Sequence, residues 1–162
     1  MDTHKEFAPL ALLASFAACF TAAALGALAT TDAQTFYDAL QRPNWAPPAS
    51  LFGPVWSLLY AMMAIAAWIM WRKHAFQRDP ALTVLFAVQL GLNALWSWIF
   101  FRWHSGLFAF IDILALIAAV AIVIIKFWSR SRIASTLMWP YLCWLAFAAT
   151  LNWSLWRQNP IL

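Results

Sequence analysis

The stretch Arg42-Pro43-Asn44-Trp45-Ala46-Pro47-Pro48, followed by Phe52-Gly53-Pro54-Val55-Trp56-Ser57-Leu58-Leu59-Tyr60, decides the reading of the chain. Three prolines in six residues exclude a helix interior, because each lacks an N–H and clashes with the preceding turn. Arg42 to Pro48 is therefore an ordered loop. Pro54 suits the first turn of a helix, where a missing N–H costs nothing. In the helix that follows, Trp56 and Tyr60 stand one turn apart on one face. An aromatic loop feeding an aromatic helix face has the makings of a pocket lid and wall.

The surrounding composition is that of a membrane protein. Of 162 residues, 65% are hydrophobic and 10% charged, against about 25% charged in a soluble domain. The 12 tryptophans, 13 phenylalanines and 3 tyrosines are an unusual aromatic load. A net charge of +4 would suggest nucleic acid in a soluble protein. Here the basic residues cluster at span ends, so membrane topology explains them and no nucleic-acid partner is expected. Cys19 and Cys143 both lie in apolar runs and read as small buried residues. His4, His74 and His104 show no metal-ligand spacing, and no metal is expected.

Outward from the loop, the apolar runs give five spans, at about 7–30, 53–71, 81–101, 106–127 and 136–156, in one transmembrane domain over 1–162. Each meets the roughly 20 residues that a hydrocarbon core requires. The first run is longer than the apolar core of a signal peptide and reads as a retained span. Its small residues Ala14, Ala18, Ala22 and Gly26 recur every fourth position, a close-packing face within the bundle or across a dimer. The lid loop is 31–52, and its middle, Asp32 to Leu40, has the caps for a short helix. Seven Lys and Arg fall on the side of the leader and the second and fourth loops, three on the other. The positive-inside rule then predicts a cytoplasmic N-terminus, with the first loop and C-terminus opposite.

Polar residues inside spans are costly and point to function. They are Gln89, Asn93, Asp112 and Asn152, with Tyr60 and Tyr141 as amphipathic partners. At about 1.5 Å per residue, Tyr60, Asn93, Asp112 and Ala148 lie roughly 9–12 Å below the lid-side ends of their spans, and Trp144 about 18 Å. All converge beneath Trp45. Trp56, Trp96 and Trp144 stand beside this set at helical spacing, whereas Trp71, Trp103, Trp128 and Trp156 at span ends read as an interfacial belt. Asp112 has no intramembrane cation to pair with and reads as a hydrogen-bonding carboxyl rather than a proton relay. Such a cavity suits a flat, apolar ligand with a few polar edges.

These runs, with Gln89-Leu90-Gly91-Leu92-Asn93-Ala94-Leu95-Trp96, Pro140-Tyr141-Leu142-Cys143-Trp144 and the ending Phe147 to Arg157, resemble the translocator protein family. It is also called the tryptophan-rich sensory protein or peripheral benzodiazepine receptor family. The resemblance implies an all-α, five-helix membrane bundle, usually a homodimer in lipid. It implies that porphyrins and benzodiazepine- or isoquinoline-type ligands bind under the first loop. By motif position it assigns Trp45 to the lid and Trp56, Tyr60, Asn93, Trp96, Trp144, Ala148 and Leu151 to ligand contact. Gln89, Asp112 and Asn152 are the expected polar support. Phe108, where animal members often carry Trp, is an expected change in the pocket. Trp153, where a Tyr is usual, speaks against a sterol motif.

The implied function is a receptor or carrier for tetrapyrroles such as protoporphyrin IX and haem, in a bacterial membrane, with no cofactor beyond the ligand. The alternatives are light- and oxygen-dependent porphyrin degradation, with Trp45 and Trp144 as the reactive residues, or a regulatory membrane partner protein.

Overall fold

The computed structural model of the chain describes residues 3–162, with side chains from Pro9 onward. The polar leader, including His4 and Lys5, lies outside the described side chains. Among the described residues seven α-helices form: α1 (Thr3–Ala27), α2 (Ala33–Ala39), α3 (Phe52–Arg72), α4 (Ala75–Arg78), α5 (Pro80–Ser97), α6 (Gly106–Trp128) and α7 (Arg132–Gln158). Five segments are long and apolar enough to cross a membrane, and no strand occurs among the described residues.

Local chemistry sets these ends. Asp79 caps α5 by accepting from the Leu82 N–H at 3.0 Å, and Pro80 follows in the first turn. Ser131 caps α7, so that helix begins one turn before the expected residue 136. The short helix expected between Asp32 and Leu40 is α2. The third span does not run straight into its loop. It widens into a π-helical turn, Trp98–Arg102, with the Trp103 N–H bonded to the Trp98 carbonyl at 2.9 Å.

The spanning helices pack as a closed ring in the order α1, α3, α7, α6, α5. One end of the ring is filled. Met63, Met70, Leu82, Val120, Val123, Phe127 and Met138 have no exposure there, and Phe127 stacks on Phe86 at 6.1 Å. The other end is hollow. The small-residue face of α1 divides between surroundings. Ala22 and Gly26 are buried, Gly26 packed closely enough that an added Cβ would stand 3.2 Å from Ser97 Oγ, while Ala14 and Ala18 face outward. Cys19 is buried, but Cys143 is exposed, contrary to its apolar sequence context. Arg72, Arg132 and Arg157 lie over Trp68, Trp128 and Trp153 at 5.0, 5.2 and 5.9 Å, as amphipathic pairs at helix ends.

At the filled end Asp79 holds two helices together. Its Oδ2 accepts from Lys126 Nζ and Arg130 Nη2, both at 3.0 Å. The Lys126 hydrogen bond, aided by the Leu82 N–H, holds the Asp79 carboxyl below its ordinary value. A depressed carboxyl contributes stability above its unfolded pKa and loses it as pH falls through the folded one. The thermal midpoint in detergent is therefore expected to fall as pH drops below about 4, the ordinary carboxylate value. Asp79→Asn should show a lower midpoint at neutral pH and a flatter acid limb, and parallel limbs would refute the linkage.

Candidate functional site

The hollow end is a cavity of about 590 Å³. Its walls come from all five spanning helices and its roof from α2 and Ala49. Trp56 and Tyr60 stand on one side of it and Trp144, Ala148 and Leu151 on another. Trp56 packs on Tyr60 at 5.8 Å and meets Tyr141 edge-on at 6.1 Å. Beside α3, α1 lines the cavity with the small side chains Ala23, Ala24, Gly26 and Ala27 and with Phe20, whose ring meets Tyr60 at 6.2 Å.

Two asparagines fix its polar points. Asn93 accepts from the Tyr60 hydroxyl and donates Nδ2 to Tyr141 Oη at 2.7 Å, joining α3, α5 and α7. Asn152 accepts from Trp96 Nε1 at 3.2 Å and donates Nδ2 to the Gly106 carbonyl at 3.0 Å, joining α5, α6 and α7. Asn93 is 5% exposed and Asn152 1%. Both amides are thus hydrogen-bonded, to Tyr60, Tyr141, Trp96 and the Gly106 carbonyl, as most buried polar groups are. Trp144 differs. Its indole N–H is buried and has no partner among the described residues.

Of the residues singled out by sequence, Trp56, Tyr60, Asn93, Trp96, Trp144, Ala148, Leu151 and Asn152 all line this one cavity. Three do not. Gln89 sits one turn below Asn93, fully buried, with its amide unpartnered among the described residues. Asp112 is buried on α6 with Oδ2 unpartnered among the described residues, but Ile113 and Leu116 form that stretch of wall. Trp45 is 48% exposed and rests edge-on against Phe147 at 5.9 Å, outside the wall. Phe108 is 63% exposed and turned away from the cavity, so a change there leaves the pocket untouched.

Several wall residues escaped the sequence reading. Phe100 and Phe101 enter from the π turn, Phe100 stacked under Trp96 at 5.2 Å and Phe101 edge-on to it at 5.8 Å. Phe20 and Phe52 add two more rings. Tyr37 lines the roof, and its hydroxyl donates to the Pro47 carbonyl at 3.0 Å. Burial pushes the Tyr37 phenol above its ordinary value, against the lowering pull of Arg42, so it stays a neutral donor. Arg42 itself pairs with Asp38 at 3.1 Å and covers the Tyr37 ring at 4.9 Å.

Known proteins agree with this architecture. The profile of the TspO/MBR family matches residues 15–157. The Tryptophan-rich protein TspO of Archaeoglobus fulgidus is 38% identical over 151 residues, 93% of this chain and 97% of that protein. The human Translocator protein is 36% identical over 126 residues, 76% of this chain and 75% of its own. Protein CrtK of Rhodobacter capsulatus is 36% identical over 149 residues, 90% of each chain.

Proposed function

Since the chain belongs to the TspO/MBR family and is an integral membrane protein with five spanning helices, we propose that it is a membrane receptor or carrier for tetrapyrroles such as protoporphyrin IX and haem. Benzodiazepine- and isoquinoline-type molecules share the slot as flat aromatic ligands. One observation carries the reading. The cavity is lined by aromatic rings from four spanning helices and by small side chains of α1, and the buried Trp144 indole N–H beside it has no partner among the described residues. Stacking supplies area without demanding orientation. Turned into the cavity, that N–H would supply a point contact for a ligand acceptor such as a propionate. No cofactor beyond the ligand enters this reading. The protein works as a homodimer in a bacterial membrane, with its N-terminus cytoplasmic and the roofed end opposite.

A second reading is oxidative. Trp144 in the wall and Trp45 in the loop both contact Phe147, at 5.2 and 5.9 Å, so two oxidisable indoles bracket the upper wall. A light-excited porphyrin with dioxygen would act on them and on itself.

Titration of purified protein with protoporphyrin IX in the dark, then under illumination, tests both readings. Saturable quenching of tryptophan fluorescence is expected in the dark. Trp144→Phe should weaken it about threefold to tenfold, the value of one lost hydrogen bond. New porphyrin bands appearing in light with wild type alone would establish the oxidative reading. Absence of saturable quenching would remove both and favour a regulatory partner protein.

A further inference from the structure

The wall that α1 gives the cavity is one helix thick. Phe20 and Ala24 border both the cavity and a groove on the outer surface of α1, beside the exposed Leu25 and Leu28. In a bilayer that groove faces acyl chains. Lipid tails are as apolar as the wall, so no hydrophobic penalty keeps them out of the cavity. Only close packing along the seams of α1 can exclude them.

The seam between α1 and α5 is closed by a side chain outside the cavity lining. Helix α1 ends at Ala27, and the amides beyond it take the carbonyls of Ala24, Gly26 and Ala27, from Leu28 at 3.1 Å, Ala29 at 3.0 Å and Thr30 at 3.0 Å. That series passes over Leu25. The Leu25 carbonyl accepts instead from Trp98 Nε1 at 2.9 Å, across 73 positions of sequence. The last carbonyls of a helix lack partners of their own, and an unpaired one is costly near hydrocarbon. Trp98, at the junction of α5 with the π turn, thus caps α1 from its neighbour. Gly26 and Ser97 meet on the cavity side of this bond. A Cβ added at Gly26 would stand 3.6 Å from Ser97 Cβ and 3.7 Å from Ala94 Cα. From cavity to lipid, the seam is a glycine contact and then an indole.

We propose that Trp98 is a positioning residue that locks the seam between α1 and α5, keeping ligand in the cavity and lipid acyl chains out of it without touching the ligand. The inference rests on the cavity being the ligand site. Trp98→Phe keeps an aromatic ring and loses the N–H. A second lock can replace the first, because the 3.6 Å separation at positions 26 and 97 suits a disulfide, whose Cβ atoms lie about 3.5–4.5 Å apart. Gly26→Cys with Ser97→Cys supplies it. Cys143→Ser, carried by every protein compared, removes the exposed native thiol.

The test uses phosphatidylcholine nanodiscs in which part of the lipid carries doxyl-labelled acyl chains, with circular dichroism and thermal unfolding as controls of fold. Protoporphyrin IX release in the dark, doxyl quenching of bound porphyrin and amide exchange at Leu28 to Thr30 are the readouts. Trp98→Phe should release porphyrin about threefold to tenfold faster, the value of one hydrogen bond. Its porphyrin should be quenched more strongly by the labelled lipid, and its exchange should quicken. Oxidising the cysteine pair in Trp98→Phe should return release and quenching to the values of the parent protein, and reduction should undo the rescue. Unchanged release and quenching in Trp98→Phe, even with a lower thermal midpoint, would make Trp98 an ordinary packing contact and overturn the lock. Faster release that the disulfide fails to correct would place the effect away from this seam and overturn it equally. If the parent protein binds no porphyrin, the tetrapyrrole reading falls instead. The exchange comparison then decides the lock alone, and equal exchange in Trp98→Phe overturns it.

Discussion

Asn93→Leu is expected to reduce protoporphyrin IX affinity by about tenfold to a hundredfold, or about 1.4–2.8 kcal/mol, and to lower stability as well. Leucine matches asparagine in size, so the change removes hydrogen bonding and little else. It strands two phenols. Tyr60 loses its acceptor and Tyr141 its donor, and these rings are 5% and 0% exposed. An unsatisfied buried hydroxyl costs about 1–3 kcal/mol. The Tyr60 side chain is also cavity wall, as is Trp56 packed on it at 5.8 Å. Freed from Asn93, the phenol will turn toward other partners and spoil the slot.

The triple variant Tyr60→Phe, Asn93→Leu, Tyr141→Phe separates the two effects. Replacing every partner with apolar groups of similar shape is nearly neutral for stability. The triple variant should therefore recover the thermal midpoint while porphyrin affinity stays low. Wild-type affinity in Asn93→Leu would show that the network plays no part in shaping the slot. Recovery of affinity in the triple variant would show that Asn93 matters only for stability.

Asn93 was legible in the sequence for a reason that also explains where the sequence fell short. Depth in a membrane follows from counting residues along a helix of fixed rise, and counting put Tyr60, Asn93, Trp144 and Ala148 at compatible levels. Facing direction does not follow so easily. Each residue turns the helix by about 100°, from 3.6 residues per turn, and an apolar span offers few polar markers to fix the phase. Asp112 has the right depth, but Ile113 and Leu116 face the cavity in its place. Trp45 lies in the right loop, but its ring rests on Phe147 rather than in the wall. Phe100 and Phe101 depend on the π turn, whose extra residue shifts the phase of everything after it. The hydrogen bonds of the Asn159 side chain to the Gln41 backbone had no signal at all, because a polar residue beyond a helix end looks the same with or without a partner 118 positions away.

Gly106→Ala is expected to destabilise the protein by about 1–3 kcal/mol, the usual cost of forcing extra volume into a packed site. A Cβ at residue 106 would stand 2.7 Å from Trp156 Cβ and 2.8 Å from its Cγ and Cδ1. Rotating the indole cannot relieve the first contact, since Cβ moves only with the α7 backbone. Helices α6 and α7 must separate where they enclose the cavity. The Gly106 carbonyl also receives Asn152 Nδ2, and Asn152 in turn holds the Trp96 indole. Separation therefore breaks the chain that sets a wall aromatic, and porphyrin affinity should fall with stability. Gly91→Ala supplies the contrast, because nothing lies within 4 Å of its added Cβ. There the same atom should leave the midpoint unchanged or raise it, as Ala exceeds Gly in helix preference by roughly 0.5–1 kcal/mol. Thermal unfolding of both variants in one detergent decides the matter. A Gly106→Ala midpoint equal to wild type would mean that α7 yields at Trp156 without cost. The tight approach would then hold neither the bundle nor its cavity in shape.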